Sequence, residues 1–235
     1  MSAICRSNRL MSGSADSRAT VCRIPNGFSI LEVLVATALM AMLFGLVFAF
    51  LVPGMRTYAL GSVQAEMQQE ATLLLRNISN DLDLAVSGGV TASPASIPTP
   101  FNGPTYLAVM KIESVNEKGQ QKWEDALYVY YWEKPGASVI RKQWTSTSPP
   151  NLGKSLSAPT HFTDIELAQI INEPSLKTKV VARDVSLFQV SGTAGSPWLQ
   201  PPYTITVKIS RKAATGRTDN ETFTLTRIFS LRNNQ

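Results

Sequence analysis

The chain has 235 residues, 44% of them hydrophobic and 17% charged, with a formal charge of +5. Two cysteines and one histidine place most metal sites and most histidine-dependent triads out of reach. The charge is uneven: four arginines and Asp16 precede Gly27 and carry +3 of it, so the rest shows no basic stripe with interleaved aromatics, and no nucleic-acid partner is expected.

Residues 1–26 are polar and basic, with Arg18 and Arg23 close to an apolar run that starts after Gly27. From Phe28 to Val52 only Ser29, Glu32 and Thr37 are polar. As a helix this run would cover about 37 Å, enough for a bilayer core of about 30 Å. An ordinary secretory signal places its cut after the apolar stretch; here the polar tail and Asn26-Gly27 come first, so a cut at that point leaves the run on the mature chain. Arginines on the N-terminal side keep that end in the cytoplasm and send the C-terminal part outward. Both Cys5 and Cys22 lie in the tail, so its removal would leave no thiol for disulfides. Met1 and Met11 are both possible starts.

Glu32 is the one ionisable group in the run. A charge at the centre of a membrane helix costs about 2.5–3.5 kcal/mol on insertion scales, and less near an interface, so the residue is a functional candidate. The stretch Gly27-Phe28-Ser29-Ile30-Leu31-Glu32, with its basic leader and apolar helix, resembles the processing motif of type IV prepilins and of the pseudopilins of type II secretion. The resemblance implies that a prepilin peptidase cuts between Gly27 and Phe28 and methylates the new amine of Phe28. It also implies that Glu32 pairs with the amine of a neighbouring subunit and sets the axial register during assembly. In a low-dielectric surrounding such a pairing is strong.

Pro53-Gly54 interrupts the pattern, because proline removes a helix hydrogen bond and crowds the preceding turn. Leu60, Val63, Met67, Ala71, Leu74, Ile78 and Leu82 then recur at helical spacing. One long helix is expected, kinked or briefly interrupted at Pro53 and ending near Ala85, with its second half amphipathic. Pro53 stands later in the helix than the proline many pilins carry, which leaves the place of the bend open. Val90 to Pro104, rich in Pro, Ser and Thr, reads as a loop.

Strands follow. Thr105 to Glu113 is one; Ala126 to Glu133 and Ser138 to Trp144 form a hairpin around Lys134-Pro135-Gly136-Ala137. Lys179 to Val190 reads as a strand region bent at Arg183-Asp184. Tyr203 to Ile209 and Glu221 to Leu231 alternate with period two, as strands with one wet face do, around a loop over Ala214 to Asn220. Ser146 to Pro174 is hard to read, apart from a short helix near Asp164 to Ile171. Trp123, Trp132, Trp144 and Trp198 are expected to pack the sheet.

The runs LYVYYWEKPGASVIRKQW, VARDVSLFQVSG and FTLTRIFSLRNN, with Asn80 to Ala85, look like the J-type minor pseudopilin of type II secretion and the related W-type minor pilin. The fold expected is therefore α+β and pilin-like: a leader over 1–27 that is removed, a transmembrane half-helix over 28–52, an amphipathic half over 53–86, and a periplasmic antiparallel β-sheet domain over 87–235. The resemblance implies a non-enzymatic minor subunit at or near the tip of a secretion pseudopilus or pilus. It would be stored in the inner membrane with its N-terminus cytoplasmic. Its partners would be other pseudopilins or pilins, the prepilin peptidase, the membrane platform with its assembly ATPase, and membrane lipid. No cofactor, metal or small-molecule substrate is expected: no Gly-x-Ser-x-Gly occurs, His161 stands alone, and Asp164 and Glu166 lack the glycine and further oxygens of a calcium loop. The competing class is an N-in membrane anchor carrying a binding domain or enzyme, which would keep its leader and need no Glu32. Secretion, pilus and DNA-uptake machines are not separated by the residues.

Overall fold

The structure is a computed structural model that describes residues 29–92, 105–133, 137–193, 199–212 and 220–231. Gly27, Phe28, the rest of the leader, the turn residues Lys134 to Gly136, Trp198 and most of the 214–220 loop lie outside the described residues. Two compact units divide at Leu51/Val52.

In the first unit every described residue belongs to helix α1, apart from Ser29, and all are exposed. Ile30 is 83% exposed and Phe50 79%. None of the most apolar stretch is buried, and it is long enough to cross a membrane.

α1 itself runs Ile30–Leu82. The interruption considered at Pro53 does not occur: the helix is continuous there. Proline costs one hydrogen bond, and the long runs of helix formers on both sides outweigh that loss. The helix ends at Leu82 rather than near Ala85, and Ser87–Gly89 forms a single 3₁₀ turn. Gly89 suits the close approach there: a Cβ would sit tightly against Trp123 at 3.1 Å and Met110 at 3.3 Å.

In the second unit, strands β1 (Val90–Ala92), β2 (Tyr106–Val115), β3 (Gln121–Glu133), β4 (Ser138–Trp144) and β5 (Lys177–Ala182) form an antiparallel sheet in that order. β6 (Val185–Thr193), β7 (Gln200–Lys212) and β8 (Asn220–Phe229) form a second antiparallel sheet. The short helix α2 spans Asp164–Asn172. The expected loop from Val90 is corrected at its start, since Val90 pairs with Val109 and Ala92 with Leu107, all four buried. The β3–β4 hairpin is as expected, register Glu133↔Ser138 to Leu127↔Trp144.

The region read as one bent strand is two strands in two different sheets. Asp184 sits between them at φ +54°, the left-handed region that asparagine and aspartate tolerate best after glycine. A left-handed residue breaks the extended conformation, and β5 and β6 belong to different sheets on either side of it.

One stripe of α1, Met67, Ala71, Leu74, Leu75, Ile78 and Leu82, packs into a core with inward residues of both sheets. From the five-stranded sheet come Leu107, Val109, Tyr130 and Val139; from the other, Phe188, Val190, Tyr203, Ile205, Val207 and Ile209. The alternation in β7 is as expected, with Tyr203, Ile205, Val207 and Ile209 all fully buried. The five-stranded sheet buries its second face as well. Met110, Leu127, Val129 and Trp144 lie against Phe162, Leu167 and Ile170. Trp144 meets Phe162 edge-on at 5.7 Å between ring centroids. Residues 146–174, hard to read in sequence, therefore supply much of the cover of that face.

Candidate functional site

The first site residue is Glu32. Ser29 precedes the first helical residue, and its Oγ accepts from the Glu32 N–H at 3.2 Å. The Ser29 N–H donates in return to Glu32 Oε2 at 3.0 Å. These two bonds are a capping box, which satisfies two of the four orphan N–H groups at a helix start. The carboxylate also sits where the helix dipole favours negative charge. Beyond it, Val33, Ala36, Thr37, Met40, Ala41 and Phe44 line one open apolar side of α1 with Glu32. The Ser-x-x-Glu spacing that builds this box is visible in the sequence, whereas the intersubunit role of Glu32 comes only from the resemblance. Gly27 and Phe28, the expected processing residues, lie outside the described residues.

The second set of polar residues lies at the other end of α1. Asp81 falls on the buried stripe of the helix, where an apolar residue would be expected. Its carboxylate accepts from Tyr130 Oη at 2.6 Å and from Arg141 Nε and Nη2 at 3.1 and 2.9 Å. Lys111 Nζ stands 3.4 Å from Asp81 and 3.2 Å from Glu124. Lys111 and Arg141 both lie 4.0 Å from the centre of the Tyr128 ring, a cation–π arrangement. Burial opposes the Lys111 charge, but Asp81, Tyr128 and Glu124 outweigh it and its pKa is raised. Burial and the Asp81 carboxylate push the Tyr130 hydroxyl far above the usual tyrosine range. Every carboxylate oxygen here faces a donor, so the cluster ties helix to sheet and holds no reactive group in reserve.

A third cluster joins α1 to the other sheet. Arg211 on β7 donates to Asp184 Oδ2 at 2.7 Å, meets Glu66 at 3.4 Å and pairs with Glu70. Glu70 Oε1 also accepts the Arg183 N–H at 2.7 Å. One arginine thus links the helix, β7 and the switch between sheets.

The residues weighed for chemistry are engaged in structure. Glu166 completes a capping box with Thr163 at the start of α2 and pairs with Lys154 at 2.8 Å. Burial would raise its pKa, but the bonds from Lys154 and Thr163 lower it. Asp164 accepts from the Tyr106 hydroxyl. Burial, with Lys154 nearby, lowers the His161 pKa. Lys142 Nζ caps the far end of α2 by donating to the carbonyls of Ile171 and Glu173, the latter at 2.8 Å. Among the described residues no three His, Cys, Asp or Glu side chains are grouped to hold a metal ion. The grooves beside α2 are open; one of about 440 Å³ is lined by Pro150, Ile165, Ala168, Gln169, Asn172 and Glu173. No family model matches the chain, and no curated protein matches it.

Proposed function

We propose that the chain is a pilin-like structural subunit, a minor one placed at or near the tip of a type II secretion pseudopilus or type IV pilus. The observation that carries this reading is a single continuous helix with two parts: an exposed apolar half that begins with one carboxylate, and a second half that buries one stripe, Met67 to Leu82, against antiparallel sheets. An exposed helix of that composition needs either lipid or other apolar helices around it, and a fibre core supplies the second after the membrane has supplied the first. Cleavage after Gly27 would create an amine on Phe28, one residue before Ser29. A neighbouring subunit's amine would then be the partner that neutralises Glu32 as the helix leaves lipid. Assembly ATPase, platform protein and prepilin peptidase would act on the chain from the membrane.

A plain N-in anchor is the second reading, favoured by one observation: the capping box occupies Glu32 with a bond that needs no neighbour. N-terminal mass analysis of the protein from a membrane fraction tests the choice. A start at N-methyl-Phe28 is the expected result. An intact arginine-rich leader on membrane-inserted protein, in a host with an active prepilin peptidase, would overturn fibre assembly and leave the anchor.

A further inference from the structure

Among the described residues the two sheets end in four outer strands, and these differ in how they are protected. A strand edge offers unpaired N–H and C=O groups to any other strand, and folded proteins blunt it with lysines, short length, bulges or cover. β1 is three residues long. β5 carries Lys177 and Lys179, both exposed, and its register with β4 shifts between Val139 and Ile140. β6 shifts register with β7 at two places, and its start is tied down: Val185 donates to the Ala137 carbonyl at 2.6 Å and accepts from Trp132 Nε1 at 3.0 Å. Among the described residues β8 is the least protected, its only charges being Glu221 and Arg227. It is ten residues long, contains no lysine or proline, and pairs with β7 from Tyr203↔Phe229 to Lys212↔Asn220 without a register shift. Ile228 is 68% exposed on it, and Phe223 and Leu225 are only half covered.

We propose that the β8 edge is an interface with a second copy of this chain, formed by antiparallel pairing of β8 with β8 about Thr224. The charge order of the strand selects this occupant. With Thr224 opposite its own copy, Arg227 stands opposite the second copy's Glu221, and the reverse pair forms by symmetry; this adds to contacts within each chain, where Glu221 is already engaged and Arg227 lies 5.4 Å from the centre of the Phe229 ring. Leu225 stands opposite Phe223 and Thr226 opposite Thr222, each on a matching face. Opposite charges, apolar pairs and threonine pairs placed directly across a ladder are the favourable combinations. The interface is isologous and closes as a dimer, so it does not propagate into a filament. The corresponding self-pairing of β5 would set lysine against lysine. The inference goes beyond the proposed function, since it requires neither leader cleavage nor a fibre.

Register-specific cross-linking of the full chain in detergent is the test. In a background with Cys5 and Cys22 changed to serine, Thr224→Cys should give a disulfide-linked dimer under mild oxidation. Directly opposite residues have Cα atoms about 4.5–5.5 Å apart, within disulfide reach. Thr222→Cys should stay monomeric, because its own copy would lie about 13 Å away along the strand. Glu221→Lys should lower the Thr224→Cys dimer yield about fivefold, and adding Arg227→Glu should restore it. A folded, oxidised Thr224→Cys protein that remains monomeric overturns the proposal. Equal cross-linking at 222 and 224, the mark of association through the apolar helix alone, overturns it as well, as does a yield indifferent to Glu221→Lys.

Discussion

Asp81 decides how firmly the end of the long helix is held. It is a carboxylate on a buried stripe, answered by Arg141, Lys111 and the Tyr130 hydroxyl. Removing one partner of such a cluster leaves the others desolvated and unmatched, which costs more than the pair itself contributes. Asp81→Asn is therefore expected to lower stability by about 3 kcal/mol, read as a shift in the urea midpoint with an unchanged slope. Tyr203 provides a pH test at the same scale. Burial raises its pKa to about 12, while its hydroxyl donates to the Leu199 carbonyl at 3.2 Å. In the unfolded chain the phenol ionises near the ordinary value of about 10. The stability tied to the neutral form is then complete below pH 10 and declines as pH rises toward 12. Tyr203→Phe should flatten part of the alkaline limb of a stability–pH curve; an unchanged limb would remove Tyr203 as a contributor.

At the scale of elements, the division of one apparent strand into β5 and β6 builds the two-sheet core. Asp184 permits it through a left-handed backbone and reinforces it twice: its carbonyl accepts from the Ser210 N–H at 2.8 Å and its carboxylate from Arg211. A β-branched residue adopts that conformation poorly and offers Arg211 nothing. Asp184→Val should cost about 2 kcal/mol or more, whereas Asp184→Asn should cost clearly less, the comparison being made by thermal melting of both. The second face of the five-stranded sheet depends on residues 146–174, whose only regular element is α2, held by the Thr163–Glu166 box at one end and Lys142 at the other. Loop residues supply apolar cover there, among them Leu156 and Phe162, and such cover has no period to read.

For the whole molecule, the question is whether Glu32 serves its own helix or a neighbour. Glutamine can close a capping box as glutamate does, but it carries no charge. If the intersubunit pairing holds, Glu32→Gln and Glu32→Ala both insert normally in the membrane and both lower incorporation into the fibre by an order of magnitude or more, on the scale expected for losing a low-dielectric ion pair. Quantitative immunoblotting of sheared fibres against membranes reads this directly. Near-normal incorporation of Glu32→Gln with loss only in Glu32→Ala would assign the residue to helix capping instead.

Much of this chain is written in local pattern. The apolar length of the first half-helix, the stripe from Met67 to Leu82, the hairpin around residue 135 and the alternation of β7 follow from side-chain periodicity, which a segment keeps whatever surrounds it. So does the capping box at Glu32, since it spans a single turn. Tertiary structure alone decided that β5 and β6 belong to different sheets, that residues 146–174 cover much of a second face, and that Asp81 meets Arg141 across sixty positions of chain. Those outcomes depend on which distant surfaces bury one another, and a buried charge is tolerable only once its partners have arrived from elsewhere in the chain.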